Sequence, residues 1–271
     1  AGGGIHSQIQ PLYTYTFIKY GSPANPYPNK NMGFMRSAHS GIGYEKFFNQ
    51  RFSVRSEAYY QYLYNVPMTV APSSFSMINM GSAFSRVFAD TLQNTGTGFN
   101  YGLELTVQKY FDKSFFFLFS GTLYNSKYKG SDGVLRNTAF NGKYVYNILV
   151  GKEWNVGAGK RNKTSIDFKF TNAGGRYYTP IDVASSQTTG REQLSTNVYS
   201  SQYPNYTRMD IKFGYTFNSK VKKLSQTFSL DIQNVTNHKN VFSQSYDDRN
   251  QNVSWKYQLG FFPNFVYKIQ F

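Results

Sequence analysis

The sequence predicts an all-β fold, a transmembrane antiparallel β-barrel, and three observations predict it. Apolar and polar residues alternate with a period of two over stretches long enough to cross a bilayer at a tilt. The gaps between those stretches alternate short and long. Finally, 24 Tyr, 25 Phe and 2 Trp make aromatics 19% of the 271 residues, yet mean hydropathy is −0.51. Apolar residues are therefore spread among polar ones. The longest strongly apolar run, at 115–119, is far short of the roughly 20 residues a membrane helix needs.

The alternation is strictest at 206–217, where Met209, Ile211, Phe213, Tyr215 and Phe217 oppose Arg208, Asp210, Lys212, Gly214 and Thr216. Tyr101, Leu103, Leu105 and Val107 oppose Gly102, Glu104, Thr106 and Gln108 in the same way. About ten strands are predicted, at 4–18, 36–48, 51–64, 98–111, 114–128, 142–154, 163–174, 206–218, 225–236 and 257–271. Short gaps fall at 49–50, 111–113, 154–162 and 219–224; long polar stretches fill 19–35, 65–97, 129–141, 175–205 and 237–256. Tight periplasmic turns and long external loops explain that alternation, whereas a sandwich gives no reason for it.

Each strand then turns one face to lipid and the other to a polar lumen. Arg55, Glu57, Glu104, Arg208, Asp210 and Asp231 fall on the lumen side. In a large soluble all-β protein, the rival reading, those faces would form a core where unpaired charge is costly. Tyr13, Tyr15, Tyr62, Tyr64, Tyr144, Trp154 and Tyr215 sit near strand ends and fit aromatic girdles at the two interfaces. In the last stretch Phe265, Tyr267, Ile269 and Phe271 oppose Asn264, Lys268 and Gln270, with Val266 the exception.

Other chemistry is sparse. Cysteine is absent, which excludes disulfides and thiolate metal sites. His6, His39 and His238 fall near a strand's periplasmic start, near another's outer end and in a late loop, a spacing that predicts no metal site. Gly157-Ala-Gly-Lys-Arg161 lacks the earlier glycine and following helix of a phosphate loop and reads as a basic turn. Asp247-Asp-Arg-Asn250 offers oxygen ligands for calcium, but a solvated loop explains it better. No local pairing of Asp with His argues for an enzyme, and no cofactor is expected. The net charge of +15 is concentrated at the short turns, in Lys109, Lys113, Lys152, Lys160, Arg161, Lys163, Lys220, Lys222 and Lys223. Such a rim suits anionic head groups. Aromatics and charges occupy opposite faces, so no nucleic-acid groove forms.

The long loops hold the candidate binding residues: Phe75, Met77, Phe84, Arg86 and Phe88 in one, and Arg176, Tyr177, Tyr178, Gln187, Arg191 and Tyr203 in another. Aromatics beside amides and arginines suit a ligand with ring faces and hydrogen-bonding groups. Packing of the loops on one another is the competing use of the same side chains.

The order of "GIHSQIQPLYTYTF" (4–17), "NTGTGFNYGLELTVQKYF" (94–111), "FFFLFSGTLYNSKYKGSDG" (115–133), "YTRMDIKFGYTF" (206–217) and "FSLDIQNVTNHKNVFSQSYD" (228–247) resembles the C-terminal barrel of TonB-dependent outer-membrane transporters. An alternating strand ending in Phe271 is similar to the signal by which barrels are recognised for assembly. The resemblance implies the bacterial outer membrane and energised uptake of a scarce nutrient such as a siderophore, glycan, cobalamin or peptide. It implies as partners membrane lipid and lipopolysaccharide, the barrel assembly machinery and the TonB complex, with a surface lipoprotein as a further candidate. The family barrel has roughly 22 strands and a plug. This sequence has about ten strands, no plug and no energy-coupling box. Residues 1–271 are accordingly expected to be the C-terminal part of one barrel domain, the plug and earlier strands lying outside them. The alternative is a self-contained ten-stranded barrel acting as passive channel, adhesin or surface hydrolase.

Overall fold

A computed structural model describes residues 1–82, 90–220 and 223–271. In chain order its elements are β1 (Gly2–Gln8), α1 (Leu12–Tyr15), β2 (Met35–Asn49), β3 (Phe52–Thr69), β4 (Leu92–Asp112), β5 (Phe115–Lys129), β6 (Leu135–Asn137), β7 (Tyr144–Val156) and β8 (Asn162–Ala173). There follow β9 (Tyr177–Tyr178), α2 (Val183–Thr189), β10 (Ser201–Gln202), β11 (Tyr206–Asn218), β12 (Ser225–Gln233), β13 (Val241–Asp247), β14 (Asn252–Tyr257) and β15 (Phe262–Gln270).

The long strands form one antiparallel meander in the order β1-β2-β3-β4-β5-β7-β8-β11-β12-β15, with β6 paired to β5. Strands β9 and β10 pair with each other, as do β13 and β14. Among the described residues β1 and β15 do not pair, so the wall of the barrel stays open between them.

Direct cross-strand partners share a face, so the registers fix both faces of the wall. Arg55, Thr106, Ser120, Asn147, Thr171 and Arg208 form one continuous row across β3, β4, β5, β7, β8 and β11. Glu57 opposite Glu104, Asp210 opposite Lys169 and Asp231 opposite Lys212 lie on that same polar face. Val54, Val107, Phe119, Ile148, Phe170 and Met209 form a row of the apolar face. Val266, opposite Ser229, does break the pattern on the polar side.

Loop segments fold over the polar face. The helical turn Met77–Asn79 brings Ile78 against Gly98, where a Cβ would stand 2.6 Å from Ile78 Cδ1. Together with Pro11 it roofs a space of about 530 Å³ whose wall includes Tyr59, Gln61, Leu63, Asn100 and Tyr124.

Several expected boundaries change. The strand expected over 4–18 ends at Gln8, because Pro11 has no N–H to give a ladder and the chain turns into α1. Tyr13 and Tyr15 therefore lie in a helical turn and not at a strand end; Tyr15 Oη accepts from Gln10 N–H at 3.3 Å. The stretch 65–97 is not all loop. Asn65, at φ 54, sits in an irregularity of register that lets β3 run on past Pro67 to Thr69 beside β4 from Leu92. The stretches 129–141, 175–205 and 237–256 likewise carry β6, β9 with α2 and β10, and the β13–β14 hairpin. The strand expected from 257 starts at Phe262, since Tyr257 closes that hairpin.

One expected separation is also overturned. His6 and His39 meet, with Nε2 atoms 3.3 Å apart. β1 is short and pairs with the first half of β2, His6 opposite Ser37, so His6 stands beside His39 and far from the 49–50 turn.

Candidate functional site

Beyond the loop end of the wall, four long loops converge on a cavity of about 430 Å³. Its framework is the β9–β10 pair, closed by Tyr203 N–H donating to the Arg176 carbonyl at 3.0 Å and Gln202 Nε2–H donating to the Gly175 carbonyl at 2.8 Å. Gly175 is required by close approach: a Cβ there would stand 1.7 Å from the Tyr203 carbonyl oxygen.

Arg176 ties the loops together. Its Nη1–H donates to the Ser82 carbonyl at 3.3 Å and its Nη2–H to the Phe242 carbonyl at 3.1 Å. Gln244 Nε2–H donates to the Thr179 carbonyl at 2.8 Å, and the Glu192 carboxylate accepts Tyr246 N–H at 2.9 Å. The β13–β14 hairpin is thus clamped beside β9 by side-chain bonds to backbone, which hold position without a continuous ladder.

Aromatics supply the surface. Tyr178 and Tyr203 stack with centroids 4.1 Å apart and planes at 17°, and Trp255 presents its edge to both at 6.2 and 6.0 Å. Tyr199 sits between Tyr128, edge to face at 6.2 Å, and the cavity. Burial pushes the Tyr199 and Tyr203 hydroxyls above the usual phenol range, so both stay protonated donors at neutral pH.

The candidates named from sequence divide three ways. Arg176, Tyr177, Tyr178 and Tyr203 line the cavity together. Phe75 and Met77 pack with Val66 and Leu92 in a small core above the wall, Met77 being 4% exposed. Gln187 donates to the Gln251 carbonyl at 2.9 Å and ties α2 to the hairpin tip, while Arg191 is exposed and off the cavity lining. Phe84, Arg86 and Phe88 lie outside the described residues, as does Lys222 of the basic rim. Sequence reasoning missed Glu192, Tyr199, Phe242 and Gln244. A partial signal for the last two existed: Val253, Trp255 and Tyr257 alternate with Asn252, Ser254 and Lys256 after the polar turn Asp248-Arg-Asn-Gln251, which reads as the second strand of a hairpin.

Residues 3–235 match the family model described as TonB dependent receptor-like, beta-barrel. The chain belongs to the TonB-dependent receptor β-barrel family. The matched stretch runs from β1 through the end of β12 and stops before the β13–β14 hairpin. No curated protein matches the chain. Membership makes this a barrel of a bacterial outer-membrane transport family. The converging loops and their cavity stand at the long-loop end of this receptor barrel.

Proposed function

We propose that the chain is the C-terminal part of an energised outer-membrane importer and that its loop cavity takes part in capturing the nutrient. The observation that carries this reading is the meeting of Arg176, Tyr178, Tyr203, Phe242 and Gln244, from two separate loops, in one aromatic-walled cavity. Stacked rings with fixed phenol donors favour a ligand that has flat or ring faces and several acceptors, a description met by siderophores, cobalamin, oligosaccharides and aromatic peptides. Family membership supports coupling to a TonB complex. The open edges of β1 and β15 support the view that further strands complete the wall.

Growth on single nutrients from those classes tests the reading. A strain lacking the receptor and a strain lacking the TonB complex should fail on the same nutrient. Tyr203→Ala should reduce uptake at limiting concentration by about tenfold, the scale of a well-packed aromatic contact. Uptake that persists without the TonB complex would replace the importer by a passive channel.

A further inference from the structure

We infer that His6 and His39 form a binding site for a divalent transition-metal cation, zinc or copper, on the lumen face of the wall. The two rings lie 4.5 Å apart, centroid to centroid, with planes at 16°, and their Nε2 atoms are 3.3 Å apart. Two imidazole nitrogens on one tetrahedral zinc, each bound at roughly 2.0–2.1 Å, stand about 3.3–3.4 Å apart. The separation thus already equals the bite of the ion. A hydrogen bond between the two rings, its donor set by their tautomers, spans that gap.

The register brings the pair together. His6 is opposite Ser37 and His39 opposite Gly4, which puts both imidazoles on one face at diagonal positions. Gly4 has no side chain to stand between them. A Cβ there would come within 3.5 Å of His39 Nε2 and 3.8 Å of His6 Nε2. With the planes at 16° the in-plane lone pairs run side by side, so each ring must turn about Cβ–Cγ for both to point at one ion.

Neighbouring polar groups are occupied with one another. Gln61 Nε2–H donates to Ser37 Oγ at 2.7 Å, and Asn100 Nδ2–H donates to Gln61 Oε1 at 2.7 Å. Among the described residues no third His, Cys, Asp or Glu completes a cluster. The ion's remaining positions therefore face the lumen, open to a small ligand. Nitrogen donors select zinc, copper or nickel over magnesium or calcium. This site is separate from the loop cavity and does not rest on the import reading.

Titration of the intact, metal-stripped receptor in detergent tests the inference. Zinc should bind at one ion per receptor by calorimetry, and bound Cu²⁺ should show nitrogen hyperfine splitting in its electron paramagnetic resonance spectrum. His6→Ala and His39→Ala should each weaken zinc binding by at least about tenfold, the scale on which loss of a supporting group already acts. His39→Gln guards against a folding defect, and Gly4→Val should weaken binding by wedging its methyls between the rings. A wild-type receptor that binds no zinc would overturn the inference. So would zinc binding unchanged in the double alanine variant, or Cu²⁺ without nitrogen splitting.

Discussion

Asn234 shows how one residue closes the last turn of the wall. Its backbone is left-handed, at φ 49, and it is 1% exposed. Its Nδ2–H donates to the His238 carbonyl at 2.9 Å, its Oδ1 accepts His238 N–H at 3.1 Å, and its own N–H reaches Asp210 Oδ1 at 2.8 Å. Asp210 in turn accepts Arg208 Nε–H at 2.7 Å, so an ion pair of the polar face is joined to the end of β12. Asn234→Ala loses the side-chain bonds to His238 and those of the same side chain to the Leu259 carbonyl and Thr236 Oγ1, and strains the backbone. It should cost about 2–3 kcal/mol in urea unfolding of the assembled barrel, with Asn234→Gly recovering the backbone share. A second residue-scale prediction concerns pH. Arg136 donates from both Nη atoms to the Asp132 carboxylate, at 2.8 and 2.7 Å, and holds its pKa below the usual range. A depressed carboxylate stabilises the fold above its unfolded pKa of about 4 and loses that contribution as pH falls through the lower folded value. Amide protection in the loop between β5 and β7, taken relative to intrinsic exchange at each pH, should therefore fall below about pH 4, and Asp132→Asn should show the lower protection at neutral pH.

At the scale of elements, alternation was legible because it is local. Successive side chains of an extended backbone point to opposite faces, so Met209 through Phe217 announced both faces of β11 before any partner was known. The strand pairs then carry those faces from β1 to β15. Single cysteines test them without background from this chain, which contains none. A water-soluble maleimide should modify Arg208→Cys, Asp210→Cys and Asp231→Cys and spare Phe213→Cys and Phe228→Cys; the reverse pattern would shift the register by one residue. Strand ends were less legible. Pro11 stops β1 while Pro67 does not stop β3, since Pro67 falls at a register shift and beyond the part of β3 that pairs with β2. The difference lies in what each proline pairs with, and a single strand does not reveal that.

For the whole molecule, the open wall sets the prediction. β1 and β15 each keep one edge without a partner among the described residues. Unpaired backbone N–H and C=O groups cost several kcal/mol each in hydrocarbon, so a spanning wall must close. The native protein isolated from membranes should have an intact mass well above 31.1 kDa. A native mass of about that value would require β1 to close on β15 and would return the ten-stranded barrel to first place.

Legible from the sequence were the class of the fold, the shared polar face of Arg55, Glu57, Glu104, Arg208, Asp210 and Asp231, and the loops that hold Arg176, Tyr178 and Tyr203. Each of these follows from period, polarity and gap length, which a strand carries within itself. Tertiary structure alone decided which loop residues meet. Phe242 and Gln244 reach Arg176 and Thr179 across more than sixty positions of chain, and His6 reaches His39 through a register that neither strand encodes alone. The physical reason is the same in both cases. The direction of a side chain is fixed by its own backbone, but its neighbours are fixed by where a distant segment comes to rest.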